Sequence, residues 1–233
     1  MPKKSNKEQW RRGRRQGNIE TREFQYYIFC EGAQTEPLYF RGFKQHIEDN
    51  PVYRNLVQIQ IEPHVGNTIG VVRQAEKYMA EHRITKGRVW CVYDKDDFTA
   101  KDFNGAQHLA DSLSNKTNDL QFHAAWSNEC IELWFFLHFA NYASNNHRSE
   151  YIKFLNEQFQ YHGLGIYQKN LENIFEILLM NGNPKLAIRY AKNLLSENKN
   201  KEPADIAPGT KVFELVEELA TYLPEEEKRY FLK

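Results

Sequence analysis

Apolar runs that end in acidic residues alternate with helical patterns in the first half of this 233-residue chain. The run FQYYIFC is followed directly by Glu31, and the run VWCVY is followed by Asp94. The candidate strands are residues 24–30, 57–61, 89–93 and 122–126. Strands that alternate with amphipathic helices predict βαβ units and a parallel sheet. The expected fold class is therefore α/β, with a Rossmann-like sheet flanked by helices.

The second half of the chain changes character, because helical patterns replace strands. The predicted helices of the whole chain lie near residues 35–47, 69–79, 106–113, 131–142, 150–160, 171–180, 185–195 and 211–222, and residues 98–104 are predicted to form a loop. We predict three regions: a basic arm at 1–22, an α/β core at 23–142, and a C-terminal helical extension at 143–233 that packs on the core.

Charge is distributed unevenly, although the formal net charge of the chain is zero. Residues 1–22 contain eight basic and two acidic residues, a net charge of +6, so the remainder carries −6. An arginine-rich segment without apolar periodicity is typical of a disordered arm that is attracted to phosphates. A solubilising tail is an equally good interpretation. Candidate nucleic-acid contacts in the arm are Arg11, Arg12, Arg14 and Arg15.

Glu31, Asp94 and Asp96 are the candidate metal ligands. The carboxyl ends of neighbouring parallel strands open into one crevice, so acids that follow them can converge on a divalent cation. Carboxylates suit Mg²⁺ or Mn²⁺. Residues two apart in an extended chain point the same way, which pairs Asp94 with Asp96 and turns Lys95 elsewhere. An acidic turn of the Asx type is the alternative for this segment.

Further acids lie close to these strand ends. Glu36 falls in the first turn of a predicted helix, where we expect it only to complement the helix dipole. Glu132 lies within an apolar run, where an unpaired carboxylate is costly, so we expect a second metal ion or a lysine beside it. Ser127 is a candidate helix N-cap, and capping is the alternative role for Glu132. Gly32 would let a phosphate approach the helix N-terminus.

Several classes of site find no support in the sequence. Zinc spacings of His and Cys, a Walker-A lysine loop and a G-x-G-x-x-G fingerprint are all absent. The isolated His64, His138 and His147 are interpreted as polar caps or surface residues. With no long apolar segment and three unpaired cysteines, we expect a cytoplasmic protein that does not enter membranes.

Longer strings resemble a known family. An acid-glycine pair after the first strand and a D-x-D after the third look like the TOPRIM domain of primases, topoisomerases and OLD-type nucleases. The more specific strings are CEGAQTEPLYF at residues 30–40, VWCVYDKDDF at 89–98, SNECIELWFFLHF at 127–139 and PGTKVFELVE at 208–217. Together they resemble the RloB-like family over nearly the whole chain. RloB-like proteins are TOPRIM-type proteins of bacterial defence and restriction-linked loci, often encoded beside an ABC- or AAA-type ATPase.

The resemblance implies a Mg²⁺- or Mn²⁺-dependent endonuclease in anti-phage defence that cuts DNA or RNA, including transfer RNA, and works with a partner ATPase. It implies Glu31, Asp94 and Asp96 as catalytic metal ligands and Glu132 as a further catalytic acid. Candidate substrate contacts outside the arm are Gly32, Lys95, Ser127 and Asn128. A non-catalytic subunit that binds nucleic acid or a partner is the competing interpretation, and a homo-oligomer is compatible with either.

Overall fold

A computed structural model describes residues 23–64, 66–116, 119–141 and 144–232. The strands are β1 Phe24–Glu31, β2 Val57–His64, β3 Gly87–Asp94, β4 Leu120–Asn128 and β5 Gly209–Thr210. The helices are α1 Thr35–Asp49, α2 Thr68–Glu81, α3 Ala100–Ser114, α4 Glu132–Phe136, α5 Arg148–Tyr161, α6 Ile174–Asn181, α7 Pro184–Ser196, α8 Val212–Ala220 and α9 Glu225–Leu232. The predicted α/β class is confirmed.

The strands form one sheet in the order β2-β1-β3-β4-β5. The first four strands are parallel, and β5 pairs antiparallel with β4 at one edge. All four predicted strands are therefore present and parallel. Because β1 and β3 are neighbours in the interior of the sheet, their carboxyl ends lie side by side. This order is what brings the acids of the two strands together.

The sheet is buried on both faces, which explains why its central strands are continuously apolar. Along β1, Tyr26 and Ile28 belong to one hydrophobic cluster, whereas Tyr27 and Phe29 belong to a second. Helices α2 and α3 cover the second cluster, and α1 packs with α4 to α9 on the first. The helices of the second half thus share a core with α1, and the division into regions at residue 142 stays a prediction.

The structure corrects two element boundaries. Helix α3 begins at Ala100, within the predicted loop at 98–104, because Thr99 caps it by accepting a hydrogen bond of 3.1 Å from the Asp102 N–H. The predicted helix at 131–142 reduces to five residues in α4. Past its end, the main-chain carbonyl of His138 accepts a hydrogen bond of 2.8 Å from the Asn183 N–H at the start of α7. Apolar spacing alone cannot show such long-range contacts.

Two elements have no counterpart in the sequence prediction, namely β5 and α9. The two-residue β5 is too short to show a periodic pattern, and α9 begins with three consecutive acids. The predicted basic arm at 1–22 lies outside the described residues. None of the helices in the described part of the chain is long and apolar enough to cross a membrane.

Candidate active site

The carboxyl ends of β1 and β3 open into a cavity of about 350 Å³. Glu31 is the last residue of β1 and Asp94 the last of β3, and the Asp94 N–H lies 3.3 Å from Glu31 Oε2. Among the described residues, the charged side chains that line this cavity are Glu31, Glu36, Asp94, Asp96 and Lys169. Four carboxylates thus face one ammonium group. Such an excess of one sign is costly without a ligand of opposite charge.

Asp94 is buried, with 8% of its surface exposed, as is its neighbour in the cavity wall, Glu36, with 7%. Burial raises the pKa of Asp94 well above the usual range of an aspartate, and the charges of Glu36 and Glu132 raise it further. Within the described part of the chain, Asp94 Oδ1 is buried and has no hydrogen-bond partner. A buried carboxylate oxygen without a donor is suited to accept a cation from the cavity.

Glu31 and Glu36 also hold protons more tightly than ordinary glutamates. Burial, opposed by the backbone hydrogen bond from Asp94, raises the pKa of Glu31 to about 7. Burial also raises the pKa of Glu36 to about 8, with the charges of Glu132 and Glu31 adding to the effect. Glu36 is buried in the cavity wall, so its interpretation as only a partner of the helix dipole is incomplete. The signal for Glu36 in the sequence was an acid in the first turn of the helix that follows β1.

Glu132 is fully buried in the first turn of α4. Its Oε1 accepts a hydrogen bond of 3.1 Å from the Tyr167 hydroxyl and lies 3.3 Å from Lys169 Nζ. The lysine expected beside this buried acid is therefore present. The Thr35 hydroxyl at the start of α1 donates to the Lys169 carbonyl at 3.1 Å, which ties the lysine-bearing loop to the cavity. Nothing in the local sequence indicated Lys169 or Tyr167.

The last residue of β3, Asp94, and Asp96 in the turn that follows both line the cavity, whereas Lys95 does not. Asp96 adopts a left-handed conformation with φ of 36°. Lys95 Nζ donates to main-chain carbonyls of its own turn, those of Asp96 and Phe98. Arg148, at the start of α5, places its guanidinium 3.0 Å from Asp96 Oδ1. No sequence pattern indicated this arginine.

The remaining candidate residues are distributed as follows. Gly32 lines the cavity with φ of 84°, a conformation that favours glycine. Ser127 is not a helix cap, because β4 continues through it and its hydroxyl hydrogen-bonds that of Thr210 at 3.0 Å. Asn128 donates to the Ala204 carbonyl at 3.2 Å. Neither of these two lines the cavity, and the candidate arginines of the arm lie outside the described residues.

The expected role as a polar cap is confirmed for His147 but not for His138. His147 is the N-cap of α5 and accepts a hydrogen bond from the Ser149 N–H at 3.3 Å. His138, in contrast, is buried in the core with its Nδ1 2.9 Å from the Trp134 carbonyl oxygen. It is neither a surface residue nor a cap.

The donors of the cavity fit a hard divalent cation in chemical type. Within the described residues, four of the lining side chains are carboxylates, whose oxygens Mg²⁺ and Mn²⁺ prefer, and Asp94 Oδ1 has no hydrogen-bond partner. Across the described ranges, however, no three His, Cys, Asp or Glu side chains are already gathered closely enough to hold a metal ion. Metal ligation by Glu31, Asp94 and Asp96 stays a prediction.

Comparison with known families places this cavity in context. A family model for RloB-like proteins matches residues 26–219, a span that includes every acid of the cavity and Lys169. The chain belongs to the RloB-like family. The family resemblance seen in the sequence strings is thereby confirmed. No curated protein and no solved structure matches this RloB-like chain significantly.

Proposed function

We propose that this RloB-like protein is a Mg²⁺- or Mn²⁺-dependent endonuclease that hydrolyses phosphodiester bonds of DNA or RNA. The observation that carries the proposal is the cavity at the β1 and β3 ends, where four carboxylates face one lysine. Buried acids of one sign lower stability unless a cation or proton neutralises them. A cost of this kind, concentrated in a cleft, is typical of a functional site.

In this proposal Glu31, Asp94 and Asp96 would hold the cation. Asp94 would offer its Oδ1, which has no hydrogen-bond partner among the described residues. A bound divalent ion supplies polarisation of the phosphoryl oxygen and a more acidic water. In the alternative role, a Glu31 that does not ligate the cation would accept a proton from water near neutral pH, because burial raises its pKa to about 7 in the metal-free cavity.

Other residues of the cavity would bind and orient the phosphate. Gly32 leaves room for it next to the first N–H groups of α1, where the helix dipole favours an anion. Lys169, which also lines the cavity, would contribute a positive charge, while the buried Glu132 and the Tyr167 hydroxyl fix where that charge lies. Glu132 acts through the lysine in this arrangement, because it does not itself line the cavity.

The biological setting belongs to the same proposal. We infer a role in bacterial anti-phage defence in the cytoplasm, together with an ABC- or AAA-type ATPase, because this is the setting implied by the RloB-like family. The basic residues 1–22 would add affinity for nucleic acid that does not depend on sequence. The proposed substrate is DNA or RNA, including transfer RNA, and a homo-oligomer is compatible with this setting.

A second candidate function is a binding subunit without turnover. It is favoured by one observation, that no three potential ligands in the described ranges are already gathered as a metal group. In this case the acidic cavity would bind a basic segment of a partner, and the chemistry would occur elsewhere in the complex.

One experiment separates the two functions. The protein is incubated with plasmid, single-stranded DNA and total transfer RNA in Mg²⁺, in Mn²⁺ and in EDTA. Cleavage that requires the metal and is lost in Asp94→Asn supports the nuclease. No cleavage of any substrate in Mg²⁺ or in Mn²⁺ would favour the binding subunit.

A further inference from the structure

Arg148 contacts the edge of the acidic cavity from the helical half of the chain. Its guanidinium lies 3.0 Å from Asp96 Oδ1 and 3.6 Å from Asp97 Oδ2. Its main-chain N–H donates to Glu129 Oε2 at 3.0 Å, so the backbone of Arg148 is fixed to the loop after β4. The side chain is 35% exposed. A fixed backbone with a half-exposed guanidinium leaves room for the side chain to change partners.

The two carboxylates beside Arg148 differ in their surroundings. Asp97 is 89% exposed, so its ion pair at 3.6 Å contributes little. Asp96 is 31% exposed and lines the cavity, where it is a candidate metal ligand. The nearby charge of Asp96 is also the largest influence that raises the pKa of Arg148. Asp96 is therefore the carboxylate for which an arginine and a divalent cation would compete.

We propose that Arg148 is an exchangeable counterion: it neutralises Asp96 when the cavity is free of metal, and it binds a phosphate of the nucleic-acid substrate once a cation has taken Asp96. This inference rests on the proposed function. A cation on Asp96 repels the guanidinium and weakens the existing pair. A guanidinium released at the mouth of the cavity suits a phosphate, because it can donate two parallel hydrogen bonds.

The exchange predicts two effects of opposite sign in Arg148→Gln. Metal binding should become roughly twofold to fivefold tighter, the range expected when a partly exposed ion pair no longer competes. Nucleic-acid binding in the presence of metal should weaken roughly tenfold, and its dependence on salt should fall by about one phosphate contact. Arg148→Lys keeps the charge without the planar fork, so we expect intermediate values for both.

Neither measurement depends on turnover. Binding of Mn²⁺ alone is measured by calorimetry. Binding of labelled DNA and RNA oligonucleotides is measured by fluorescence anisotropy in Ca²⁺ across a salt series. The matched control is Arg88→Gln, which removes an arginine that pairs with Glu218 at the amino end of β3, away from the cavity. Circular dichroism and thermal melting show that each variant is folded.

The outcomes separate the alternatives. Tighter metal binding together with weaker nucleic-acid binding, seen in Arg148→Gln and not in Arg88→Gln, supports the exchange. If both affinities fall, Arg148 only positions Asp96, and if neither changes it is only a surface pair; either result overturns the proposal. If the wild-type protein binds neither Mn²⁺ nor any nucleic acid, the proposed function itself fails and the exchange fails with it.

Discussion

The two ends of the parallel sheet differ in the balance of positive and negative charge around them. At the amino ends of the strands, a cavity of about 220 Å³ is lined by both signs, including Lys86, Arg88 and Asp119. Arg88 there forms an ion pair with Glu218. At the carboxyl ends, the larger cavity is lined by four acids and one lysine among the described residues. The last residues of β1 and β3 supply two of these acids, Glu31 and Asp94, and the segments that follow the two strands supply Glu36 and Asp96.

This contrast indicates which end of the sheet lowers the stability of the metal-free fold. Paired charges at the amino ends cost the fold little, and each contributes little. Buried acids of one sign at the carboxyl ends raise the free energy of the metal-free fold, as the raised pKa values of Glu31, Glu36 and Asp94 indicate. An arrangement that lowers stability without a structural benefit is expected where a ligand binds.

Asp94→Asn or Glu31→Gln should give the largest effect and should affect function rather than folding. We expect cleavage to fall by about three orders of magnitude or more, because a metal ion stabilises the transition state by several kcal/mol and each 1.4 kcal/mol is about tenfold in rate. The melting temperature in EDTA should hold or rise, because one member of a repelling cluster has lost its charge. Gel cleavage assays and melting curves check the two parts.

The opposite result would be equally informative. A large loss of melting temperature for Asp94→Asn in EDTA would mean that the acid has a structural partner. The carboxyl end would then resemble the amino end, and the contrast between the two would disappear.

Deletion of residues 1–22 should give the next largest effect, on binding rather than on chemistry. Strand β1 begins at Phe24, at the end of the sheet opposite the acidic cavity, so the deletion leaves every cavity residue in place. Removal of a net charge of +6 should weaken nucleic-acid binding by roughly tenfold to a hundredfold and flatten its salt dependence. Filter binding across a salt series measures both, and an unchanged slope would mean that the arm is a solubilising tail or a docking segment for a protein partner.

The fold was largely predictable from sequence because its strands are buried on both faces. Continuous apolar runs and the acids that follow them located β1 and β3, and the register of a parallel sheet then brought Glu31 and Asp94 together. The boundary of α3 was missed because a single capping threonine, rather than apolar spacing, determines where the helix begins.

The cations of the site were not predictable in the same way. Lys169 lies in a loop without periodicity, and Arg148 begins a helix of the second half. Both reach the acids only through tertiary packing between distant parts of the chain. Sequence spacing can show which residues share a strand end, but it cannot show which residues the rest of the fold brings to that end.

Loss of an ion pair should cost more stability at the carboxyl ends of the strands, in Lys169→Met, than at the amino ends, in Arg88→Gln. Lys169→Met removes the ammonium group that lies 3.3 Å from Oε1 of the fully buried Glu132 and leaves the Tyr167 hydroxyl in place, so we expect a loss of about 1–3 kcal/mol in EDTA, less than for a fully buried pair because Lys169 is half-exposed. Arg88→Gln at the amino end should cost at most about 1 kcal/mol. Urea unfolding of both variants measures the difference.

A double variant provides the control for this prediction. Glu132→Gln combined with Lys169→Met removes both charges, and the amide oxygen can still accept from Tyr167. Stability should therefore recover towards that of the wild-type protein, while cleavage should not recover. A double variant as unstable as Lys169→Met would show that lost packing, rather than the unpaired charge, causes the effect.

The stability of the metal-free fold should also depend on pH, through two glutamates of the cavity wall. Glu31 and Glu36 keep their protons in the metal-free fold up to about pH 7 and 8, whereas in the unfolded chain they lose them near 4.5. The fold therefore binds more protons than the unfolded chain between these values, so stability in EDTA is retained at low pH and falls as pH rises from about 4.5 to 8. A change of about 1 kcal/mol corresponds to roughly 2–4 °C for a chain of this size.

Glu36→Gln should flatten the decline, and charges elsewhere in the fold cancel in the comparison with the wild-type protein. Saturating Mg²⁺ should reverse the decline, because cation binding becomes stronger as these acids lose their protons. Melting curves from pH 5 to 8.5, in EDTA and in Mg²⁺, measure both trends, and a wild-type curve in EDTA with the same slope as that of Glu36→Gln would show that Glu36 is not protonated in the fold.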